Sequence, residues 1–312
     1  MHDVTSNDLD PVAPGGSVAS APGIDPALRH ILDDIERYYD AVPRSAARVE
    51  DFGPLSLFVR EGRGWPYYAR PALGHTGPAA TAEDVRRVLA RQRELGIPEA
   101  FEWVAEHNPE LRAAVEAAGL TVHEHPLLVL GPDDEPELPA GAPGAGTPAE
   151  GVAVRIVAAD DPDLASAVTV PHLAFGEPGT ARGTAGPEEL AAAAEKSAAD
   201  GTVERIAGRI TAGQTVLAAA VRDGVALCAG QHNPVGAVTE VAGVGTLPTA
   251  RRQGLGLAVT AALVAHARAN GVRTVFLSAA DEDVARIYRR AGFHPFATAL
   301  IAEPAAEPAT GA

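Results

Sequence analysis

Hydrophobic positions along this chain fall into two spacings, one helical and one extended. Leu28, Ile31, Leu32 and Ile35 lie on one face of a helix predicted from Ile24 to Tyr39, with Asp25-Pro26 at its start. Phe52 to Val59 and Tyr67 to Leu73 read as short strands around a Gly62-Arg63-Gly64 turn. Thr81-Ala82-Glu83-Asp84 has the form of a capping box and opens a helix to Leu95. Further on, Val152 to Val157 predicts a strand, and a helical segment from Asp163 passes Leu164, Val168 and Leu173 into Phe175-Gly176-Glu177-Pro178-Gly179. An alanine-rich helix spans Pro187 to Ala199. Val216 to Val221 and Val225 to Gly230 flank Asp223-Gly224, a strong hairpin signal. Val238 to Thr246, rich in Val, Gly and Thr, is a strand closed by Leu247-Pro248, because proline removes a ladder donor. Leu255, Val259, Ala262, Leu263 and His266 then share a helical face, where His266 reads as packed rather than as a ligand. Thr274 to Ser278 (strand), Asp281 to Ala291 (helix) and Thr298 to Ile301 (strand) complete the pattern.

The order strand, basic glycine turn, helix around residue 250 carries chemistry. A helix leaves the N–H groups of its first turn without intrahelical partners, pointing at whatever lies ahead, and an anion fits there. Gly254 and Gly256 remove Cβ atoms that would hold a pyrophosphate off the backbone, while Arg251 and Arg252 add charge-assisted hydrogen bonds. An ordinary glycine turn with solvated arginines is the competing reading. The turn has neither the Gly-Lys-Ser/Thr ending of a Walker loop nor the third glycine of a dinucleotide fingerprint.

Arg251-x-x-Gly254-x-Gly256, after a strand ending Val244-Gly245-Thr246-Leu247-Pro248, resembles the acetyl-coenzyme A signature of the GNAT superfamily of N-acetyltransferases. Asp281, Tyr288 and Gly292-Phe293 have the spacing of that family's downstream Asn...Tyr-x-x-x-Gly-Phe block. The resemblance implies an α/β (α+β) fold with a mixed, mostly antiparallel central sheet flanked by helices. It also implies direct transfer of the acetyl group of acetyl-CoA to an amine, small-molecule or peptide, without a metal. On that resemblance, Val244 or Gly245 presents a backbone N–H to the thioester carbonyl and Thr246 meets the pantetheine arm through its main chain. Arg251, Arg252, Gln253, Gly254, Leu255 and Gly256 would hold the pyrophosphate. Tyr288 matches the tyrosine that protonates the departing thiolate; a phenol titrates near about 10 and an alkyl thiol near about 8.5, so position matters more than acidity. Glu240 stands where relatives place a carboxylate that takes the amine's proton, a solvent-facing strand-end glutamate being the alternative. Asp281 replaces the family's asparagine, and an ionised aspartate cannot donate a hydrogen bond to the cofactor arm. His172, Phe175 and Glu177 are candidate acceptor contacts. A non-catalytic module that binds coenzyme A or a small ligand is the alternative function.

The first half repeats part of this pattern. Phe101-Glu102-Trp103-Val104, Asn108 and Ala117-Ala118-Gly119-Leu120 match Thr274-Val275-Phe276-Leu277, Asp281 and Arg290-Ala291-Gly292-Phe293 at a constant offset of 173 positions (274 − 101, 281 − 108 and 292 − 119). That offset puts Val115 at Tyr288, and Pro78 and Thr81 at Arg251 and Gly254, so the repeat lacks both the phosphate grip and the tyrosine. The expected organisation is a disordered segment 1–24, a degenerate GNAT-like domain 25–132, a Pro/Ala/Gly-rich linker 133–151, an acetyltransferase domain 152–303 and a disordered tail 304–312. Packing, an acceptor wall or homodimer formation are the roles left for the first domain.

Charge and cysteine usage change the picture little. A formal charge of -16, from 25 Lys+Arg against 41 Asp+Glu, argues against non-specific nucleic-acid binding. Cys228, the single cysteine, leaves no intrachain disulfide or cysteine metal cluster. The start lacks a signal-peptide pattern and no apolar run is long enough to span a membrane, so a soluble, cytoplasmic protein is expected.

Overall fold

The computed structural model describes residues 26–64, 66–131, 134 and 151–305, with side chains from residue 29 onward. The segments expected to be disordered (1–24, most of 304–312) and nearly all of the expected linker lie outside the described residues.

The first half begins with α1 (Pro26–Arg44), then β1 (Ala47–Asp51), β2 (Leu55–Arg60) and β3 (Ala69–Pro71). It continues through α2 (Ala82–Leu95), β4 (Phe101–Val104), α3 (Leu111–Ala117) and β5 (Leu120–Leu130). The second half runs β6 (Ala153–Val157), α4 (Leu164–Gly176), α5 (Pro187–Ala199), α6 (Thr202–Thr211), β7 (Val216–Arg222), β8 (Val225–Val235) and β9 (Val238–Thr246). A 3₁₀ turn at Pro248–Ala250 leads to α7 (Leu255–Ala269), β10 (Thr274–Ser278), α8 (Glu282–Arg289) and β11 (His294–Pro304).

All strands join one 11-stranded sheet in the order β1-β2-β3-β4-β11-β5-β10-β9-β8-β7-β6. The two halves exchange their last strands. β5 of the first half lies between β10 and β11 of the second, antiparallel to both, and β11 lies between β4 and β5. The units β4-α3-β5 and β10-α8-β11 thus have the same element order at the offset of 173 seen in the sequence (294 − 121 for the first pair of residues in step within the outer strands). β1 and α6 were absent from the sequence reading, and β11 is much longer than the expected Thr298 to Ile301. Pro295 hides that strand: the register breaks between Pro295 and Ala297, and the strand continues because β4 and β5, distant in sequence, flank it.

Three apolar clusters support the sheet. α4 and α7 bury theirs on the strands of the second half, Leu247, Leu255, Val259 and Leu263 among them. α2 and α3 cover β2 to β5 through Val85, Leu89 and Val115. α1 lays Leu32, Ile35 and Tyr38 over the centre, on Val104 of β4, Leu127 and Val129 of β5, Phe276 of β10 and Ala299 of β11. It therefore covers strands from both halves.

One glycine fixes how closely α4 approaches the sheet. A Cβ at Gly245 would stand 2.7 Å from Pro171 Cα and 2.9 Å from Ala174 Cβ, so backbone would have to move. We expect Gly245→Ala to destabilise by about 1–3 kcal/mol, read as a lowered midpoint in denaturant unfolding; an unchanged midpoint would mean that α4 gives way freely.

Candidate active site

β9 and β10 run parallel only as far as Thr274↔Val238, Val275↔Thr239 and Phe276↔Glu240. Beyond Glu240 they part, β10 pairing with β5 and β9 with β8, so one backbone edge of Val241 to Thr246 has no strand partner. On the other edge, Leu247 N–H donates to Leu227 O at 2.8 Å, and Ala229 is the ladder partner of Gly245. The alternation of an antiparallel ladder then turns the amide of Gly245 towards Ala229 and those of Val244 and Thr246 towards the open side. Of the two residues considered for the thioester contact, Val244 faces the opening; Gly245 is corrected, its amide being used in the ladder.

The open edge leads to the start of α7. Gly254 is its N-cap with φ of 74°, and Arg252 also has a positive φ, 68°. The N–H groups from Arg252 to Leu257 have no hydrogen-bond partner among the described residues. A Cβ on Gly256 would meet only Thr246 Oγ1 and Val244 Cγ1, each at 3.8 Å, so the missing side chain there keeps the gap between strand and helix open. Together these make a cradle of orphaned amides on a helix N-terminus.

Arg251 is not part of that cradle. It is 8% exposed, and its guanidinium donates to the carbonyls of Ala181 (3.0 Å), Ala174 (2.9 Å) and Glu177 (2.5 Å). The expectation that its side chain grips the phosphates is corrected: although Arg251 borders the cleft, these three hydrogen bonds tie the end of α4 and the following loop to the turn. Arg252 is exposed and, with Arg286 and Arg290 of the opposite lip, lines the same cleft. Gln253 is not among its lining residues.

That cleft measures ≈ 1210 Å³ and takes in Glu240 to Thr246, the start of α7, Asp281 and Tyr288, together with Tyr39, Tyr68 and Glu102 from the first half. Its size exceeds the roughly 300–1,000 Å³ of a single small-molecule pocket, which suits a donor and an acceptor side by side.

Tyr288 lies on α8, half-buried, its ring edge-on to Phe293 with centroids 6.0 Å apart. Burial pushes its phenol up to about 12, with the Cys228 thiol nearby also raising it. A phenol so shifted stays protonated at neutral pH and is a hydrogen-bond donor first, an acid second. Cys228, itself pushed up to about 12 by burial, is a neutral acceptor from Thr246 Oγ1 at 3.3 Å. Glu240 accepts from Tyr39 Oη at 3.1 Å. Burial pushes the Glu240 carboxyl up to about 7, against the lowering effect of that hydrogen bond. The solvent-facing alternative for this glutamate does not hold: α1 covers it, and Tyr39 of that helix donates to it.

Asp281 is the N-cap of α8, its Oδ1 accepting from Val284 N–H at 2.8 Å. A capping carboxylate needs no donor, which is why aspartate serves here for asparagine. Glu177 is corrected as an acceptor contact: its carboxylate takes the N–H groups of Thr184 and Ala185 at 2.9 and 2.8 Å, which hold it below the usual carboxylate range. His172 is exposed on α4 and is not among the lining residues, whereas Phe175 lines the cleft and is 61% exposed. His266 packs as expected, its Nδ1 lying 3.2 Å from His232 Nε2. The sequence reading missed Glu102, Tyr39 and Tyr68 as lining residues, all of which come from the first half.

In that half, Thr81 is the N-cap of α2 as Gly254 is of α7. Its hydroxyl accepts from Asp84 N–H at 3.3 Å and the Asp84 carboxylate accepts from Thr81 N–H at 2.9 Å. An acidic side chain thus occupies the place an anion would take, and Val115, fully buried, stands in place of Tyr288.

Comparison with known proteins bears on the fold. Residues 189–293 match the model of the acetyltransferase (GNAT) family. Over that segment, within its second half, the chain is similar to the GNAT acetyltransferases. Among solved structures, a GCN5-related N-acetyltransferase from Kribbella flavida is 26% identical, with a TM-score of 0.62, covering 89% of this chain and 96% of the other. A tandem GNAT protein of the clavulanic acid biosynthesis pathway is 19% identical (TM-score 0.52; 82% and 79% covered) and shares the fold. So does a GCN5-related N-acetyltransferase from Sphaerobacter thermophilus, 17% identical (TM-score 0.51; 89% and 88% covered). No curated protein matches the chain in sequence. No helix among the described residues is long and apolar enough to cross a membrane.

Proposed function

We propose that the chain is an N-acetyltransferase that moves the acetyl group of acetyl-CoA directly to an amine, using one active site in its second half. The observation that carries this reading is the continuity of the cleft: an unpaired strand edge running from Glu240 to Thr246 ends on the orphaned amides of α7, with Tyr288 across from it. Acetyl-CoA supplies an activated thioester. The amides from Arg252 to Leu257, with the helix dipole, suit its pyrophosphate; Arg252 and Arg290 suit the remaining phosphate charge. The open edge of Val244 and Thr246 suits the amide groups of the pantetheine arm, and the Val244 N–H suits the thioester carbonyl as charge develops there. Glu240 takes a proton from the acceptor, and the Tyr288 hydroxyl donates to the sulfur as it leaves. The first half, with its helix N-terminus closed by Asp84, walls the acceptor side and binds no second cofactor. The two halves divide between residues 132 and 152, with the exchanged strands crossing that division, and the chain works in the cytoplasm, where coenzyme A is supplied.

Isothermal titration tests the donor site. One acetyl-CoA per chain is expected, and Gly254→Glu should weaken binding by roughly a hundredfold or more, because a carboxylate at the N-cap faces the pyrophosphate and φ of 74° disfavours any side chain. Unchanged affinity in a folded variant would place the cofactor elsewhere.

A further inference from the structure

Glu102 is an acid in an otherwise apolar strand, and the acetyl-transfer scheme above leaves it unused. Its β4 neighbours Phe101 and Trp103 belong to the core of the first half, so strand alternation turns Glu102 with Val104 to the face covered by α1. Glu240 is on that face too, as the ladder partner of Phe276, whose ring packs edge-on against Tyr38 and Tyr39. Both carboxyls line the same cleft, one from each half. Among the described residues no hydrogen bond or ion pair holds the Glu102 side chain.

The charged and titratable groups around Glu102 come from every element packed there. They are Glu240 on β9, Arg70 on β3, Tyr68 just before β3 and Tyr39 on α1. Arg70 is already committed to Glu36 of α1 in a fully buried pair. Burial first, and the negative charge of Glu240 second, push Glu102 up to about 8, while Arg70 acts to lower it. Two carboxyls in one cleft resist ionising together, and that resistance falls when a cation enters between them.

We propose that Glu102 is an acceptor-binding residue, forming with Glu240 a two-carboxyl site for the ammonium group of a small cationic primary amine. This rests on the amine-acetylation reading above. The apolar body of the amine lies against Tyr68 and Phe175. The ammonium gives a proton to one carboxylate, and the neutral nitrogen attacks the thioester carbon. The N–C bond forms as the C–S bond breaks, and the second nitrogen proton passes to the other carboxylate. Of the two protons shed, one ends on the coenzyme thiol and one leaves to solvent. The products are the amide, the free thiol and a proton.

The test compares benzylamine with its neutral analogue benzyl alcohol by isothermal titration, with and without coenzyme A. The full chain is expected to prefer the ammonium by roughly tenfold or more. Glu102→Gln should lose that preference while acetyl-CoA affinity stays unchanged; Glu102→Asp should keep part of it. If Glu102→Gln does not fold, Glu240→Gln removes the other carboxyl and should lose the same preference. Equal binding of the two probes, binding of neither, or a preference retained in Glu102→Gln would overturn the proposal. Absence of acetyl-CoA binding with the ammonium preference intact would instead sink the acetyl-transfer reading, because the probe titration without coenzyme stands alone.

Discussion

Glu240→Gln is expected to lower the turnover of amine acetylation by about 10²–10⁴-fold, with acetyl-CoA affinity unchanged. Glutamine keeps the shape and can still accept from Tyr39 Oη, but it cannot take a proton. The wild-type pH profile should carry the same signature. Only an ionised carboxylate is a base, and burial raises Glu240 to about 7 and Glu102 beside it to about 8, so kcat/KM should rise as pH increases through about 7 to about 8 and then level. Tyr288, raised to about 12, stays protonated throughout and contributes no falling limb near neutrality. The thiol released from acetyl-CoA in an amine screen gives the rate. A Glu240→Gln variant with full turnover would move the base elsewhere; a profile flat across neutrality would say that the proton leaves before the amine binds.

The second large effect is on stability. Arg70 and Glu36 face each other with side chains 1% and 3% exposed, and the Arg70 guanidinium also lies 5.6 Å from the ring centre of Tyr39. Arg70→Met would leave the Glu36 charge buried and alone, which costs about 3–5 kcal/mol. For a chain of 312 residues that is a fall in melting temperature of roughly 5–8 °C. The double variant Arg70→Met/Glu36→Leu should recover most of the loss, since an apolar pair of similar volume replaces a buried ion pair at little cost. Both are read by thermal unfolding at neutral pH. If the single variant melts with the wild type, water reaches the pair and the burial argument fails.

The signature turn and its strand were legible because their information is local. Val238 to Thr246, Leu255 onward and Thr274 to Ser278 each carry their own periodicity, and the strand bounds match those read from sequence. The role of Arg251 was not legible. Nothing in Arg251-x-x-Gly254 tells whether a guanidinium points forward to an anion or back to the carbonyls of Ala174, Ala181 and Glu177; that depends on where α4 ends, 77 positions earlier in the case of Ala174. Glu102 was quoted in the repeat but assigned nothing, because its partner Glu240 lies in the other half. The one available signal was an acid at the position that the 173 offset matches to Val275, inside a strand. α6 did leave a trace, Val203, Ile206 and Ile210 at helical spacing, all packed against the second-half core. β11 left little, since its pairing with β4 and β5 is set entirely by distant chain.

The exchange of β5 and β11 also bears on the order of synthesis. β4 is complete at Val104, yet its neighbour begins at His294, 190 residues later (294 − 104). At about 5–20 residues per second the nascent chain waits roughly 10–40 s for that strand. Through that interval β4 and β5 are both edges, and the carboxyl of Glu102 has no cleft to line. Native pairing at the centre of the sheet therefore closes late and over long range, which favours slow folding of the whole chain over independent folding of its halves.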